Sequence, residues 1–433
     1  MNLTVDFNRT IGTIKPMNGV GQPPFAGTDF SMIQYLKEAK IPYSRLHDVG
    51  GAYGGFRWVD VPNLFRDFSA DETKEESYDF TFTDLLITAL MENGVEPFFR
   101  LGVTIENSAK IKAYRLDPPS DYHKWARICE HIIRHYTEGW ANGFHYKIEY
   151  WEIWNEPDNY EDPMENQMWR GTKEQYYAFY EVASKHLKQC FPHLKIGGYA
   201  SCGFYAISRD FVKDANSSPR REYFIEFFDG FLDYIKAQGC PMDFFSWHSY
   251  SGIDMNREYC DYAKKRLTEA GYGNVHITCN EWNSLVNERG TYKHAATTAA
   301  MMLMFQDAPL DSAMFYDAGF SLNKYGSLFN PLTAKPFPTY YAFTAFGELY
   351  ELGEQTQVSF SKEGVYAVAA KREGRGCIVI ANPTEREIPL TLEMNARVLE
   401  CLLTANGENQ KRVELPDVLP KESILVLRTE LIG

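Results

Sequence analysis

The chain has 433 residues, 44% of them hydrophobic and 15% aromatic, with a formal net charge of −14. That content makes a globular protein too long for one ordinary core. The acidity, with no Lys/Arg cluster standing out, argues against nucleic acid and against an anionic membrane as partners.

No run reaches the roughly 20 apolar residues that a membrane helix needs. Met1–Asp6 shows no basic region followed by an apolar core, so no leader is expected. Eight cysteines, scattered without a CxxC pair, read as reduced thiols in a soluble, cytoplasmic protein. No metal and no other cofactor is expected.

In chain order, residues 1–14 hold a short alternating piece, Leu3-Val5-Phe7, that predicts a lone strand. From 15 to 346 a short apolar run, a loop and an amphipathic helix alternate. The runs end near Gly21, His47, Arg100, Glu156, Gly198, His248, Glu281 and Tyr316. Helices are predicted from Thr83 or Asp84 to Asn93, from Ser120 to Tyr136, from Thr172 to Gln189 with Thr172 and Gln175 as a capping box, and from Thr291 to Gln306. Eight such alternations predict an α/β fold, a TIM (β/α)₈ barrel over 15–346. An open doubly wound sheet is the alternative, but it lacks a glycine-rich phosphate turn after the first strand. Residues 347–433 alternate at shorter spacing between Gly, Asn and Pro punctuation, which predicts an antiparallel β-sandwich domain joined by residues 1–14.

In such a barrel, chemistry sits at the carboxyl ends of the strands. Tyr150-Trp151-Glu152-Ile153-Trp154-Asn155-Glu156-Pro157-Asp158 is a bulky apolar run that stops at an amide, a carboxylate and a proline, which ends the ladder. Strand parity puts Glu152, Trp154 and Glu156 on one side. A carboxyl against tryptophans is poorly solvated, so a raised pKa is expected for Glu156, which suits a general acid. The bland reading is a strand-end glutamate paired with an arginine. Val275–Asn283 repeats the pattern and presents Glu281. Two carboxylates at one barrel rim suggest glycoside hydrolysis; in its retaining form the carboxyl groups stand about 5–5.5 Å apart.

With these residues in view, the sequence resembles glycoside hydrolase family 39, retaining barrel enzymes that include β-xylosidases and α-L-iduronidase. The resemblance rests on Trp151–Pro157 and Thr278–Asn283. Arg45-Leu46-His47, Tyr78-Asp79-Phe80, Lys195–Gly198 and Ser246–Tyr250 support it. It implies Glu156 as general acid/base and Glu281 as nucleophile. It further implies Asn155 on the sugar's 2-hydroxyl, Arg45 orienting Glu281, His47 and His248 on hydroxyls of the innermost sugar, and Tyr250 donating to Glu281 or the ring oxygen.

Three stretches depart from the family's pattern. Arg100-Leu101-Gly102 stands where an acidic residue is usual, which predicts a cation in the cleft. Ala313–Asp317 replaces a tryptophan platform and leaves Tyr316 to face the sugar. The loop 47–55 is glycine-rich. The expected function is a β-D-xylosidase-type retaining hydrolase of short oligosaccharides, with a small carbohydrate as its partner and self-association into a homo-oligomer compatible with the sequence. An arabinosidase, a uronic-acid hydrolase served by Arg100, a non-catalytic carbohydrate-binding barrel and a metal-dependent barrel hydrolase are the alternatives.

Overall fold

The computed structural model describes residues 1–27, 30–49, 57–105, 116–209, 211–214, 217–320, 324–361 and 363–432. The glycine-rich stretch 50–55 lies outside the described residues. After β1 (Asn2–Thr13), the chain enters a closed barrel of eight strands: β2 (Gly19–Gly21), β3 (Tyr43–Leu46), β4 (Glu96–Leu101), β5 (Tyr150–Ile153), β6 (Lys195–Ser201), β7 (Phe244–Ser249), β8 (His276–Trp282) and β9 (Ser312–Phe315). All pairings are parallel, and β2 closes the ring by pairing with both β3 and β9. Strands this short and buried on both faces read as continuous apolar runs, which is why they were legible.

Around them lie α1 (Gln34–Glu38), α2 (Val61–Leu64), α3 (Thr81–Glu92), α4 (Tyr122–Thr137), α5 (Lys173–Cys190), α6 (Ser218–Gln238), α7 (Ile253–Ala270), α8 (Tyr292–Gln306) and α9 (Pro338–Leu352). The predicted capping box is present: Thr172 accepts from the Gln175 amide, and the Gln175 side chain accepts from the Thr172 amide at 2.8 Å. Asp121 and Thr291 cap α4 and α8 in the same way. Helix α3 starts earlier than predicted, at Thr81, because Asp79 accepts from the Thr81 amide and opens the turn. Asp84 is instead spent on Tyr136 and His135. No helix among the described residues is long and apolar enough to cross a membrane.

Inward side chains fill the barrel in layers. Phe98, Tyr150, Phe244 and Met314 plug the floor. Above them Arg45, Glu152 and Asn280 form a buried polar layer. The wall strands approach closely at Gly197, where a Cβ would stand 2.2 Å from the Phe244 carbonyl oxygen.

The rest of the chain is β10 (Glu354–Phe360), β11 (Tyr366–Arg372), β12 (Arg375–Asn382), β13 (Ile388–Pro389), β14 (Thr391–Met394), β15 (Ala396–Ala405), β16 (Glu408–Arg412), β17 (Val418–Leu419) and β18 (Ser423–Leu431). An eight-stranded sheet runs in the order β14-β1-β10-β11-β12-β18-β15-β16, antiparallel except for β1 against β14, and β13 with β17 makes a small second sheet. One face of the large sheet packs Leu3, Val5, Ile378, Ile380, Leu425 and Leu427 against Ile388 and Leu419. On its other face, Val368, Val379, Val426 and Ile424 join the barrel's own core beside α8 and α9. The two parts therefore share apolar interior and are not joined by a tether alone.

Candidate active site

Side chains from the carboxyl ends of β3, β5, β7, β8 and β9 converge on a cleft of about 460 Å³, within the usual range of small-molecule sites, about 300–1,000 Å³. His47, Asp48, Glu156, Tyr250, Glu281 and Tyr316 line it.

Parity explains most of this. Tyr43, Arg45 and His47 alternate inward from β3, and Phe244, Ser246 and His248 do so from β7. On β8 parity alone fails, because Asn280 and Glu281 are neighbours yet both point inward. A register irregularity between Cys279 and Trp282 against β9, and another against β7, gives the strand the bulge that permits it.

Strand β5 departs from the predicted parity after Ile153. Trp154 has φ 70° and Glu156 φ 43°, left-handed values that only a few per cent of non-glycine residues hold. The first turns the Trp154 ring outward, onto Trp125, Trp169 and Phe179, with its Nε1 donating to the Met168 carbonyl. Trp151 also faces outward, stacked on Phe99. Neither tryptophan covers Glu156, so the expected cause of a raised pKa is missing.

What touches Glu156 is His248, whose Nδ1 lies 2.7 Å from its Oε1, and Asn159, whose Nδ2 donates to Oε2 at 3.0 Å. Burial alone would raise the Glu156 carboxyl, but the hydrogen bond and charge of His248, with Arg220 behind them, hold it below its ordinary value. Burial likewise acts to lower His248, and the carboxylates of Glu281 and Glu156 overcome it and hold the imidazole above its ordinary value. The expectation of a raised Glu156 is thus corrected: His248, at hydrogen-bond distance, outweighs burial and favours the carboxylate. His248, expected on sugar hydroxyls, spends Nδ1 on Glu156, while its buried Nε2 has no partner among the described residues.

Glu281 is held from two sides. Tyr250 donates to Oε1 at 2.6 Å and Arg45 Nη1 to Oε2 at 3.0 Å. The same guanidinium donates through Nε to Glu152 at 2.8 Å and through Nη2 to Asn155 Oδ1. Arg45 therefore both neutralises buried Glu152 and orients Glu281, the two roles the sequence left side by side. Asn155 Nδ2 is buried with no partner among the described residues, as is His47 Nδ1. One oxygen of Glu156, one oxygen of Glu281 and a ring nitrogen of His248 lie within 4.8 Å of one another.

Arg100 differs from expectation. It points inward but is fully buried, its Nη2 2.8 Å from Asp60 Oδ1, and it does not line the cleft. Asp60, beside α2, neutralises it and also accepts from the Thr104 amide. Tyr316 does line the cleft. It donates to Asp48 Oδ2 at 2.9 Å and accepts from Gln22 at 2.6 Å. Asp48 is a third carboxyl in the site, in contact with His47 Nε2 at 3.2 Å and pushed up to about 7 by burial and by Glu281. Sequence reasoning passed over it although it follows His47 directly. Asn159, Arg220 and Arg221 were missed too, and the two arginines lie at the start of a helix with no strand-end signal.

The group Glu156, His248 and Glu281 has the spacing to hold a metal ion, as does Glu130, His186 and Cys190 between α4 and α5. In the first group Arg45 already supplies positive charge beside Glu281, and in the second Arg134 does so beside Glu130.

Residues 52–304, more than half of the chain, match the family described as Glycosyl hydrolases family 39. The chain belongs to that family. This family 39 hydrolase is thereby an O-glycosyl hydrolase of β-xylosidase-like sequence. It is 22% identical over 403 residues to a beta-xylosidase of Geobacillus stearothermophilus, covering 81% of this chain and 70% of that one. A beta-xylosidase of Caldicellulosiruptor saccharolyticus is 25% identical over 383 residues, covering 80% and 72%. A crystal structure of a glucosidase from Croceicoccus marinus superimposes with a TM-score of 0.78 at 19% identity, over 100% of this chain and 99% of that one, which shows the shared fold.

Proposed function

We propose that this family 39 hydrolase cleaves short glycosides of a neutral sugar by double displacement with retention of configuration, as a β-D-xylosidase-type enzyme. Glu281 attacks the anomeric carbon and its bond to the leaving oxygen breaks. Glu156 gives that oxygen a proton, then takes one from the water that releases the sugar. The supporting observation is the closeness of the Glu156 and Glu281 oxygens, within 4.8 Å. An inverting enzyme needs about 6.5–9.5 Å between the two carboxyl groups, to lodge a water. Arg45 and Tyr250 fix the attacking carboxylate, and the unpartnered Asn155 Nδ2 and His47 Nδ1 are available to sugar hydroxyls.

Asp48 favours a neutral sugar. This carboxyl accepts from hydroxyls and, above about pH 7 where it is ionised, repels a uronate, whereas Arg100, the cation that would have served a uronate, is taken by Asp60. A panel of aryl glycosides of xylose, arabinose, glucose, galactose and uronic acids tests this. We expect turnover of neutral pyranosides, xylosides first, and preference for a uronide would reverse the reading. Activity that survives a chelator separates this mechanism from a metal-dependent one at the same three groups.

Two further outcomes follow. Glu156→Ala is expected to slow glycosides of poor leaving groups by roughly 10²–10⁴-fold while largely sparing the first step with an activated phenol. Equal losses on both would remove Glu156 as the acid. The alkaline limb of kcat/KM marks loss of the proton shared by Glu156 and His248, so it lies above the ordinary imidazole value. In His248→Asn the proton rests on Glu156 alone, and the limb is expected to move to lower pH. A limb that stays in place would show that the pair does not carry it.

A further inference from the structure

The wall of the cleft behind Glu156 carries two arginines. Arg220 is set by three contacts: its Nε donates to the Asn159 carbonyl at 2.7 Å, and its guanidinium lies 4.2 Å from the Tyr160 ring centre and 5.5 Å from that of Phe224. Its two terminal nitrogens have no hydrogen bond or ion pair among the described residues, although the residue lines the cleft. Arg221, the next residue of α6, lines the same cleft, lies 5.9 Å from the Phe211 ring centre, and has no carboxylate partner among the described residues.

In a chain with a net charge of −14, two half-buried arginines without a salt-bridged carboxylate among the described residues make a local positive patch in a concave wall, a setting that draws an anion. Their position tells which part of a substrate would. Arg220 holds Asn159, Asn159 holds Glu156, and Arg220 is among the charges that act on Glu156. Tyr316 and Asp48 instead bond to each other, and Asp48 feels the charge of Glu281. The proton donor faces the leaving group, so the arginines border the leaving group's subsite and the acids border the sugar's.

We propose that the leaving-group subsite of this enzyme recognises an anion, a carboxylate or phosphate carried by the aglycone, through the guanidinium groups of Arg220 and Arg221. This rests on the reading of Glu156 as the proton donor. A guanidinium fork matches either anion in a bidentate fashion, which a lysine does not. The cleft thus reads polarity along its length: a neutral sugar over Asp48, a negative leaving group over the arginines.

The test uses glycosides of whichever sugar the aryl panel selects. The aglycones are 4-(carbamoylmethyl)phenol, 4-(carboxymethyl)phenol and the phosphonomethyl analogue, whose charge is insulated from the phenol so that leaving ability stays matched. At low ionic strength the wild type is expected to favour at least one anionic glycoside over the amide by about tenfold in kcat/KM, carried by KM and shrinking as salt is raised. Which anion wins distinguishes a carboxylate from a phosphate as the natural group. Arg221→Gln and Arg220→Gln are expected to bring the ratio of anionic to neutral kcat/KM toward one, and Arg221→Lys to retain part of it. A wild-type ratio at or below one, with the amide turned over, would overturn the inference and leave the hydrolase reading standing. No turnover of any of the three would remove that reading and the inference with it. Equal loss on all three substrates in Arg220→Gln and Arg221→Gln, with a shifted alkaline limb, would show that the arginines act only through Glu156 and would also overturn it.

Discussion

Glu281→Ala is expected to abolish measurable turnover, a loss of roughly 10⁴-fold or more, because it removes the carboxylate proposed to form the covalent intermediate that divides the reaction into two easier steps. Small anions enter the space that the side chain leaves. Added azide should restore cleavage of activated aryl glycosides and yield a glycosyl azide of the opposite anomeric configuration to the substrate. Analysis of that product by NMR, beside the configuration of the wild-type product at early times, checks both halves of the claim. A wild-type product of inverted configuration, with no azide adduct from the variant, would transfer Glu281 from attacker to mere ligand.

Replacing Arg45 should be nearly as damaging, by a different route. The guanidinium is 1% exposed and serves Glu152, Glu281 and Asn155 together. Arg45→Met leaves Glu152, itself 0% exposed, with only the 2.6 Å side-chain contact from Asn280 among the described residues, in a layer closed below by aromatic rings. Breaking a buried pair by removing one partner costs about 3–5 kcal/mol, since the remaining charge has neither water nor counter-ion. A fall of that size in denaturant unfolding is expected, together with loss of activity. Adding Glu152→Gln in the same background should recover part of the stability but not the activity, because Glu281 still lacks the cation that holds its Oε2, with Tyr250 left on Oε1 alone. A single variant that unfolds like the wild type would mean that the layer tolerates an unpaired acid.

The barrel was legible because its strands are short, covered on both faces and separated by well-capped helices, as the reciprocal Thr172 and Gln175 bonds illustrate. Glu156 and Glu281 were legible because each ends such a strand in a polar break. Beyond the strand end, a two-residue period no longer governs direction. The left-handed turn at Trp154 reversed the expected neighbours of Glu156, and His248, more than ninety positions away, took the place assigned to a ring. Arg100 was expected in the cleft and lies buried beneath it instead, paired with Asp60. Its partner Asp60 sits on a connecting segment whose path no local pattern encodes. Arg220 and Arg221 resemble any basic pair on a helix until the fold brings them over Asn159.

The pairing of β1 bears on how the molecule is made. Leu3 lies opposite Phe360 and Thr13 opposite Glu354, so β1 meets its antiparallel neighbour only after the whole barrel between them has been synthesised. Throughout translation of the barrel this strand has an unsatisfied edge and apolar side chains at Leu3, Val5 and Phe7 without cover, a setting in which nascent chains stick to one another. Completion of the β domain thus follows synthesis of the barrel, and slow growth or chaperone shielding during synthesis should improve the soluble yield.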